Sequence, residues 1–446
     1  MAAEPIPSSN ARVAAAQKRL QKIGTFFATQ RHLIAVRDGV VGALPLVLVG
    51  SVFLLLSQAP WMESAALKDY VPVLLVPYRM LGGVIAVYVT FAAANSLAKS
   101  YALDGMACGL LAIAAYFIAA FPMPALVVDP ALPPAGPPSI PVVRLGAGGI
   151  FAGLLLAVFS VEVTKLFVRR KWTIRMPPTA PESVVRSFIA LLPTFAVVTS
   201  VFLVTQLFRF DLIALIENAA KPVLSATGSL PSAIGIVSVD SGLWVLGVHA
   251  SAALATLRPF WEAMLLQNAD AVVAKLPLPH IAPQPFFNWF VWQGGSGATL
   301  ALAFHLLRAK SAQLRTVGRA GIVPALFNVN EPIVFGAPVV LNATLAIPFF
   351  LVPLVSAITA YSAIYLDLVA RPRVEVLWVL PAPIGAFLAT GGDWRAVALQ
   401  MFNLAIGFLI YAPFVRRYDR RLLEQEAAVK ASAAPEAALP PKAQTP

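Results

Sequence analysis

The sequence predicts an all-α polytopic membrane protein with about ten transmembrane helices, two re-entrant hairpins and both termini in the cytoplasm. Three observations lead there. The 446-residue chain is 59% hydrophobic and 12% charged, about half the charged share of soluble domains, and its mean hydropathy is +0.78. About ten apolar stretches are long enough to span, and they are continuous rather than alternating, which argues against a β-barrel. The net charge of +12 resides in clusters between these stretches, at Lys18, Arg19 and Lys22, at Lys165 to Lys171, at Arg308 to Arg319 and at Arg416 to Arg421. Such clustering is the positive-inside pattern, with attraction to anionic lipid as a side effect, and it does not describe a nucleic-acid surface. Basic clusters near both ends place both termini in the cytoplasm, which requires an even number of crossings.

Residues 1–37 read as a polar, basic, amphipathic lead-in without the apolar core of a signal peptide. Residues 38–175 then form a transmembrane scaffold, with spans at about 38–57, 72–98, 102–122 and 145–168. Pro122 to Pro141 is too polar and broken to span and reads as an external loop. Arg169, Arg170, Lys171 and Arg175, followed by Pro177, Pro178 and Pro181, form a cytoplasmic linker reaching about residue 186. Residues 187–423 comprise a fifth span at 187–208 and a less regular half. A span near 232–257 carries Asp240 and His249. The stretch 284–306 is interrupted by Gly294, Gly295 and Gly297, 322–342 is broken at Pro332, 343–366 reads as an uncomplicated span, and 374–391 is cut by Pro381 and Pro383. A last span at 394–415 precedes an Ala-, Pro- and Lys-rich tail, 424–446, of disordered composition. The single cysteine, Cys108, lies in an apolar run and reads as a small hydrophobe. No disulfide or metal site can be built on it, and no cofactor is expected.

Short or Gly/Pro-broken apolar segments are the best sequence pointer to a transport site. Three of them fall in the second half. One carries Asn328, Asn330 and Glu331, a carboxylate and two amides within strongly apolar sequence. An acidic residue at bilayer depth costs about 2.5 to 3.5 kcal/mol and is rarely there without a role. Glu331 can hold a loop through backbone amides or accept hydrogen bonds from a ligand hydroxyl. Asn328 and Asn330 commonly fix loops, with Asn330 preferred over Asn328 as a ligand. His249, in an apolar stretch with Trp244, can be a satisfied core residue or can donate and accept at a sugar hydroxyl. A metal role is disfavoured by the lack of a second ligand at suitable spacing. Gly294 and Gly295, near Asn288, permit close approach of backbone to a ligand or to another helix. Trp378 can be an interfacial anchor or an aromatic face for a sugar ring. The candidate binding set is therefore Glu331, His249, Asn330, Asn328, Trp378, Gly294, Gly295, Asn288 and Trp244. No catalytic nucleophile stands out, so an enzyme is not expected.

The stretch Asn328 to Asn342, NVNEPIVFGAPVVLN, resembles the signature loop of the membrane-spanning IIC component of the bacterial sugar phosphotransferase system, in its lactose/cellobiose/diacetylchitobiose branch. Supporting stretches are Arg37-Asp38-Gly39, Gly247-Val248-His249, Gly294 to Leu300 and Trp378 to Trp394 with Gly391-Gly392-Asp393. The resemblance implies a homodimer in the cell inner membrane, with ten spans per subunit plus re-entrant hairpins. It implies sugar contacts at Glu331, His249 and Trp378, and a β-linked disaccharide as passenger. It also implies phosphorylation by a separate IIB protein supplied by IIA, since only the IIC part is matched. Ala250 and Ala337 depart from the family's usual glycine and leucine. A membrane sugar sensor signalling to a partner is the alternative from another functional class.

Overall fold

Gln30 caps the first helix, α1 (Arg31–Ser57), its side-chain oxygen accepting from the Leu33 N–H at 2.6 Å. The cap places the helix start seven residues earlier than the expected span at 38, so 31–37 belong to the first helix. The structure, a computed structural model, describes residues 29–64, 66–121, 140–174, 176–177, 181–337, 339–340 and 342–433. The Pro-rich loop expected at 122–141 lies almost wholly outside them.

Every regular element among the described residues is helical. The first half continues with α2 (Val71–Leu81), α3 (Ile85–Ser100), α4 (Gly105–Ala120), α5 (Ile150–Arg169) and α6 (Glu182–Phe202), the last running into a π-helical turn at Leu203–Leu207. The span expected at 72–98 is divided at Gly82 and Gly83. Asp104 caps α4 by accepting from the N–H groups of Met106 and Ala107. Small residues bring these helices together, as lipid-embedded packing requires. A Cβ on Gly39 of α1 would lie 2.8 Å from that of Ala93 on α3, and one on Gly153 of α5 would collide with the Thr90 hydroxyl of α3.

Two helices absent from the sequence reading follow. α7 (Leu212–Thr227), capped by Asp211, is amphipathic, and α9 (Arg258–Val273) is buried along most of its length despite carrying Glu262, Asn268 and Asp270. Between them α8 (Leu230–Val245) departs at 72° from α7. The single span expected over 232–257 is not formed. α8 stops at Val245, Gly247 adopts φ +76°, and one short turn leads to α9, which leaves His249 in a break. Glycine at positive φ ends a helix at little steric cost.

The remaining elements are α10 (Thr299–Leu307), α11 (Ala312–Leu326), the short α12 (Glu331–Gly336), α13 (Ala343–Tyr365), α14 (Ala382–Ala389) and α15 (Trp394–Ala433). The three segments expected to be interrupted are each broken, at 292–298, 327–330 and 373–381. α13 is continuous through Pro348 and Pro353, as expected. α15 runs past both the span end at 415 and the boundary at 424. Its Glu424, Glu426 and alanines favour helix, and Glu426 accepts from the Ser311 hydroxyl at 2.8 Å. The tail is thus helical to Ala433, and residues 434–446 lie outside the described set.

Among the described residues six helices are long and apolar enough to cross a membrane, or seven if the α7–α8 pair is one broken span; α4 is apolar but shorter. Length and composition therefore support a polytopic membrane protein without reaching ten. The shortfall falls on the segments that are short or broken by glycine and proline.

Candidate functional site

Three broken segments meet at one side chain. Asn328 has φ +62°, a left-handed conformation that asparagine tolerates better than most residues. Its Oδ1 accepts from the Gly294 N–H at 3.0 Å, and its Nδ2 donates to the carbonyls of Trp378 at 2.7 Å and Leu380 at 3.1 Å. One amide thus joins the 292–298 loop, the 327–330 loop and the 373–381 segment. Asn328→Ala should cost about 2–4 kcal/mol, from three lost bonds and a less tolerant backbone. A large drop in melting temperature, measured on purified protein, checks this.

Asn330 has the same kind of task. It is buried, and its Nδ2 donates to the Ser296 carbonyl at 3.0 Å. The Nδ2 of Asn330, the asparagine preferred as a ligand from the sequence, is thus occupied in fixing the loop. Gly294 (φ +80°) and Gly295 (φ +97°) also serve packing. A Cβ on Gly295 would lie 2.8 Å from that of Asn330, and one on Gly294 would lie 2.6 Å from that of Leu300. Thr299 donates to the Gly294 carbonyl at 2.6 Å, and Tyr411 of α15 donates to the Gly297 carbonyl at 2.7 Å. The broken backbone is satisfied by protein groups, as its depth in an apolar chain demands.

With its frame fixed, α12 presents two faces. Ile333 and Val334 are buried, whereas Glu331 and Phe335, four residues apart, are exposed on the other side. Opposite this face, the break after α8 presents His249. Its Nε2 lies 3.7 Å from Glu331 Oε1, beyond hydrogen-bond length but within ion-pair range. The His249 ring packs tilted against Trp244 at 4.5 Å between centroids, and Trp244 lies 6.2 Å from Phe335. The result is a carboxylate and an imidazole beside an aromatic wall. The burial expected for Glu331 is not observed: the side chains of Glu331 and His249 remain 47% and 55% exposed. Being the first residue of α12, Glu331 turns away from the face its helix buries.

The other candidates take different places. Trp244 is buried and supports the imidazole. Trp378 is exposed, and the contact it makes to the loop is through its carbonyl. Asn288 is half-buried on the π-helical turn Phe287–Val291. The sequence reading gave no role to Asp240 or Ser296. Asp240 is buried in α8, one turn before Trp244, and accepts from the Ser296 hydroxyl at 3.1 Å. It so connects the His249 arm to the loop that holds Asn330. Phe335 was also missed, although its four-residue offset from Glu331 was a readable signal. Among the described residues no His, Cys, Asp and Glu group could hold a metal ion.

The sequence model of the family described as "Phosphotransferase system, EIIC" matches residues 37–353. This chain belongs to the phosphotransferase EIIC family. Its EIIC relatives include the cellobiose-specific EIIC component of Geobacillus stearothermophilus, 35% identical over 434 residues, covering 92% of this chain and 95% of that protein. The lichenan permease IIC component of Bacillus subtilis (strain 168) is 32% identical over 425 residues, covering 92% and 94%. Among solved structures, ChbC, the IIC component from the N,N'-diacetylchitobiose-specific system, aligns with a TM-score of 0.85 at 33% identity, covering 92% of this chain and 99% of that one. As an EIIC protein the chain is a transport permease subunit, and its apolar helices accord with a multi-pass membrane location.

Proposed function

We propose that this EIIC chain carries a β-linked disaccharide, of the cellobiose, diacetylchitobiose or lactose kind, across the cell inner membrane for phosphorylation by a separate IIB protein fed by IIA. The observation that carries this reading is the pairing of Glu331 with His249 at 3.7 Å, flanked by Trp244 and Phe335. Sugars have hydroxyl edges and apolar ring faces. A carboxylate accepts from hydroxyls, an imidazole donates or accepts, and an aromatic face covers C–H groups. Relatives named for cellobiose and lichenan, and the structural likeness to ChbC, support the β-linked class.

In this reading the chain spans ten times as a homodimer, with both termini cytoplasmic. Residues 38–175 and the linker to about 186 serve as scaffold, and 187–423 move with the sugar. The 292–298 and 327–330 loops are the tips of re-entrant hairpins.

The test is isothermal titration of purified protein with cellobiose, N,N'-diacetylchitobiose and lactose, followed by vesicle uptake with and without phosphorylated IIB. His249→Ala should weaken binding about tenfold, the loss of one hydrogen-bonding partner. Glu331 and the exposed Phe335 ring would remain, so binding should persist at high sugar concentration. Affinity unchanged in His249→Ala would remove the imidazole from the site. Absence of binding to any of the three sugars would sink the substrate class.

A further inference from the structure

A concave site lies along the C-terminal part of α15. A cavity of about 390 Å³ is lined by Thr344 at the start of α13 and by Arg417, Tyr418, Arg420, Arg421 and Glu424 of α15. Positions 417, 420, 421 and 424 recur at three- and four-residue intervals, so they share one face of the helix.

The neighbouring acids do not neutralise these arginines. The Asp419 carboxylate accepts from the backbone N–H groups of Lys310 and Ser311, at 2.9 and 2.8 Å. Glu426 accepts from the Ser311 hydroxyl. Both acids are thus committed to the turn between α10 and α11. Among the described residues Arg417, Arg420 and Arg421 make no side-chain hydrogen bond or salt bridge, Glu424 included. The lining carries three positive charges against one negative. The start of α13 adds only the Thr344 side chain, because its own N–H is taken by Asn342 Oδ1 at 3.0 Å.

Depth narrows the occupant. Trp394, at the start of α15, is 71% exposed, as befits an interfacial tryptophan. Arg417 stands about 35 Å further along the helix, just beyond the roughly 30 Å hydrocarbon core and at the level of phosphate headgroups. Guanidinium groups match phosphate oxygens in bidentate geometry and bind them with charge-assisted hydrogen bonds.

We propose that this pocket binds a phosphate group at the membrane surface, carried by an anionic lipid or by a phosphorylated sugar. Thr344 lies two residues beyond the stretch 328–342 that carries Glu331, so the occupant touches the chain leaving the candidate sugar site. The assignment does not depend on which sugar is carried.

The experiment uses the full chain in neutral detergent, with phosphatidylglycerol, glucose 6-phosphate and inorganic phosphate as separate probes in a binding titration. At least one should bind, and Arg420→Gln with Arg421→Gln should weaken it about tenfold. Glu424→Gln should tighten it severalfold by removing the one opposing charge. Binding of phosphatidylglycerol alone identifies the source as a lipid headgroup, and binding of glucose 6-phosphate identifies a soluble phosphate monoester. No binding of any probe, or affinity unchanged by these substitutions, overturns the proposal. Should the arginine variant fail to fold, Glu424→Gln decides alone, since Glu424 is exposed and unchanged affinity there counts against the pocket.

Discussion

Glu331→Gln is expected to weaken sugar binding about tenfold to a hundredfold, the range for losing a hydrogen bond to a charged acceptor. Folding should be unaffected. The side chain is half-exposed, and its 3.7 Å approach to His249 is longer than a hydrogen bond, so it contributes little to holding α12 in place. Glutamine preserves volume and one acceptor but loses the charge and adds a donor. The measurement is isothermal titration paired with a melting curve. Weakened binding with an unchanged curve assigns the carboxylate to the ligand. Retained affinity removes Glu331 from the site, and a lowered melting temperature reassigns it to the loop.

Gly297→Ala should have the largest structural effect, about 2–5 kcal/mol. Gly297 has φ +81°, which costs an L-residue about 1–2 kcal/mol. A Cβ there would also collide with the ring of Phe349, which is fully buried in α13 and cannot swing aside. Overpacking of this kind typically adds 1–3 kcal/mol. The outcome to measure is the yield of monodisperse protein and its melting temperature. Because Tyr411 donates to the Gly297 carbonyl, a shifted loop would also strand that buried hydroxyl. Alanine tolerated without loss would mean that the loop can relax, and that its glycine serves something other than packing.

The broken segments were legible because glycine, proline, asparagine and glutamate interrupt apolar sequence only where the backbone must turn. That signal marked all three segments as broken and brought Glu331 and His249 forward together, although the break expected at Pro332 falls at 327–330 and Pro332 opens α12 instead. It could not divide labour within the loops. Asn328 and Asn330 have identical side chains in similar sequence, and only coordinates distinguish loop-fixing amides from ligand contacts. α7 and α9 escaped notice for a different reason. Glu217 and Lys221 in α7, and Glu262, Asn268 and Asp270 in α9, lower the local hydropathy below that of a span. Two of these groups in α9 are accommodated by tertiary partners: Asn268 donates to the carbonyls of His280 and Pro372, and Asp270 accepts from the Tyr78 hydroxyl. A window of sequence does not contain such partners. His249 was expected inside a helix and lies beside one, because Gly247 reads equally as a packing residue and as a terminator.

α15 touches the hairpin region at two widely separated levels. Tyr411 grips the loop at Gly297, while Asp419 and Glu426 clasp the turn at Lys310 and Ser311. One stretch of a single helix, with Pro413 between its two holds, is thus tied to both the glycine loop and the polar turn. A displacement of that stretch is therefore felt at both places.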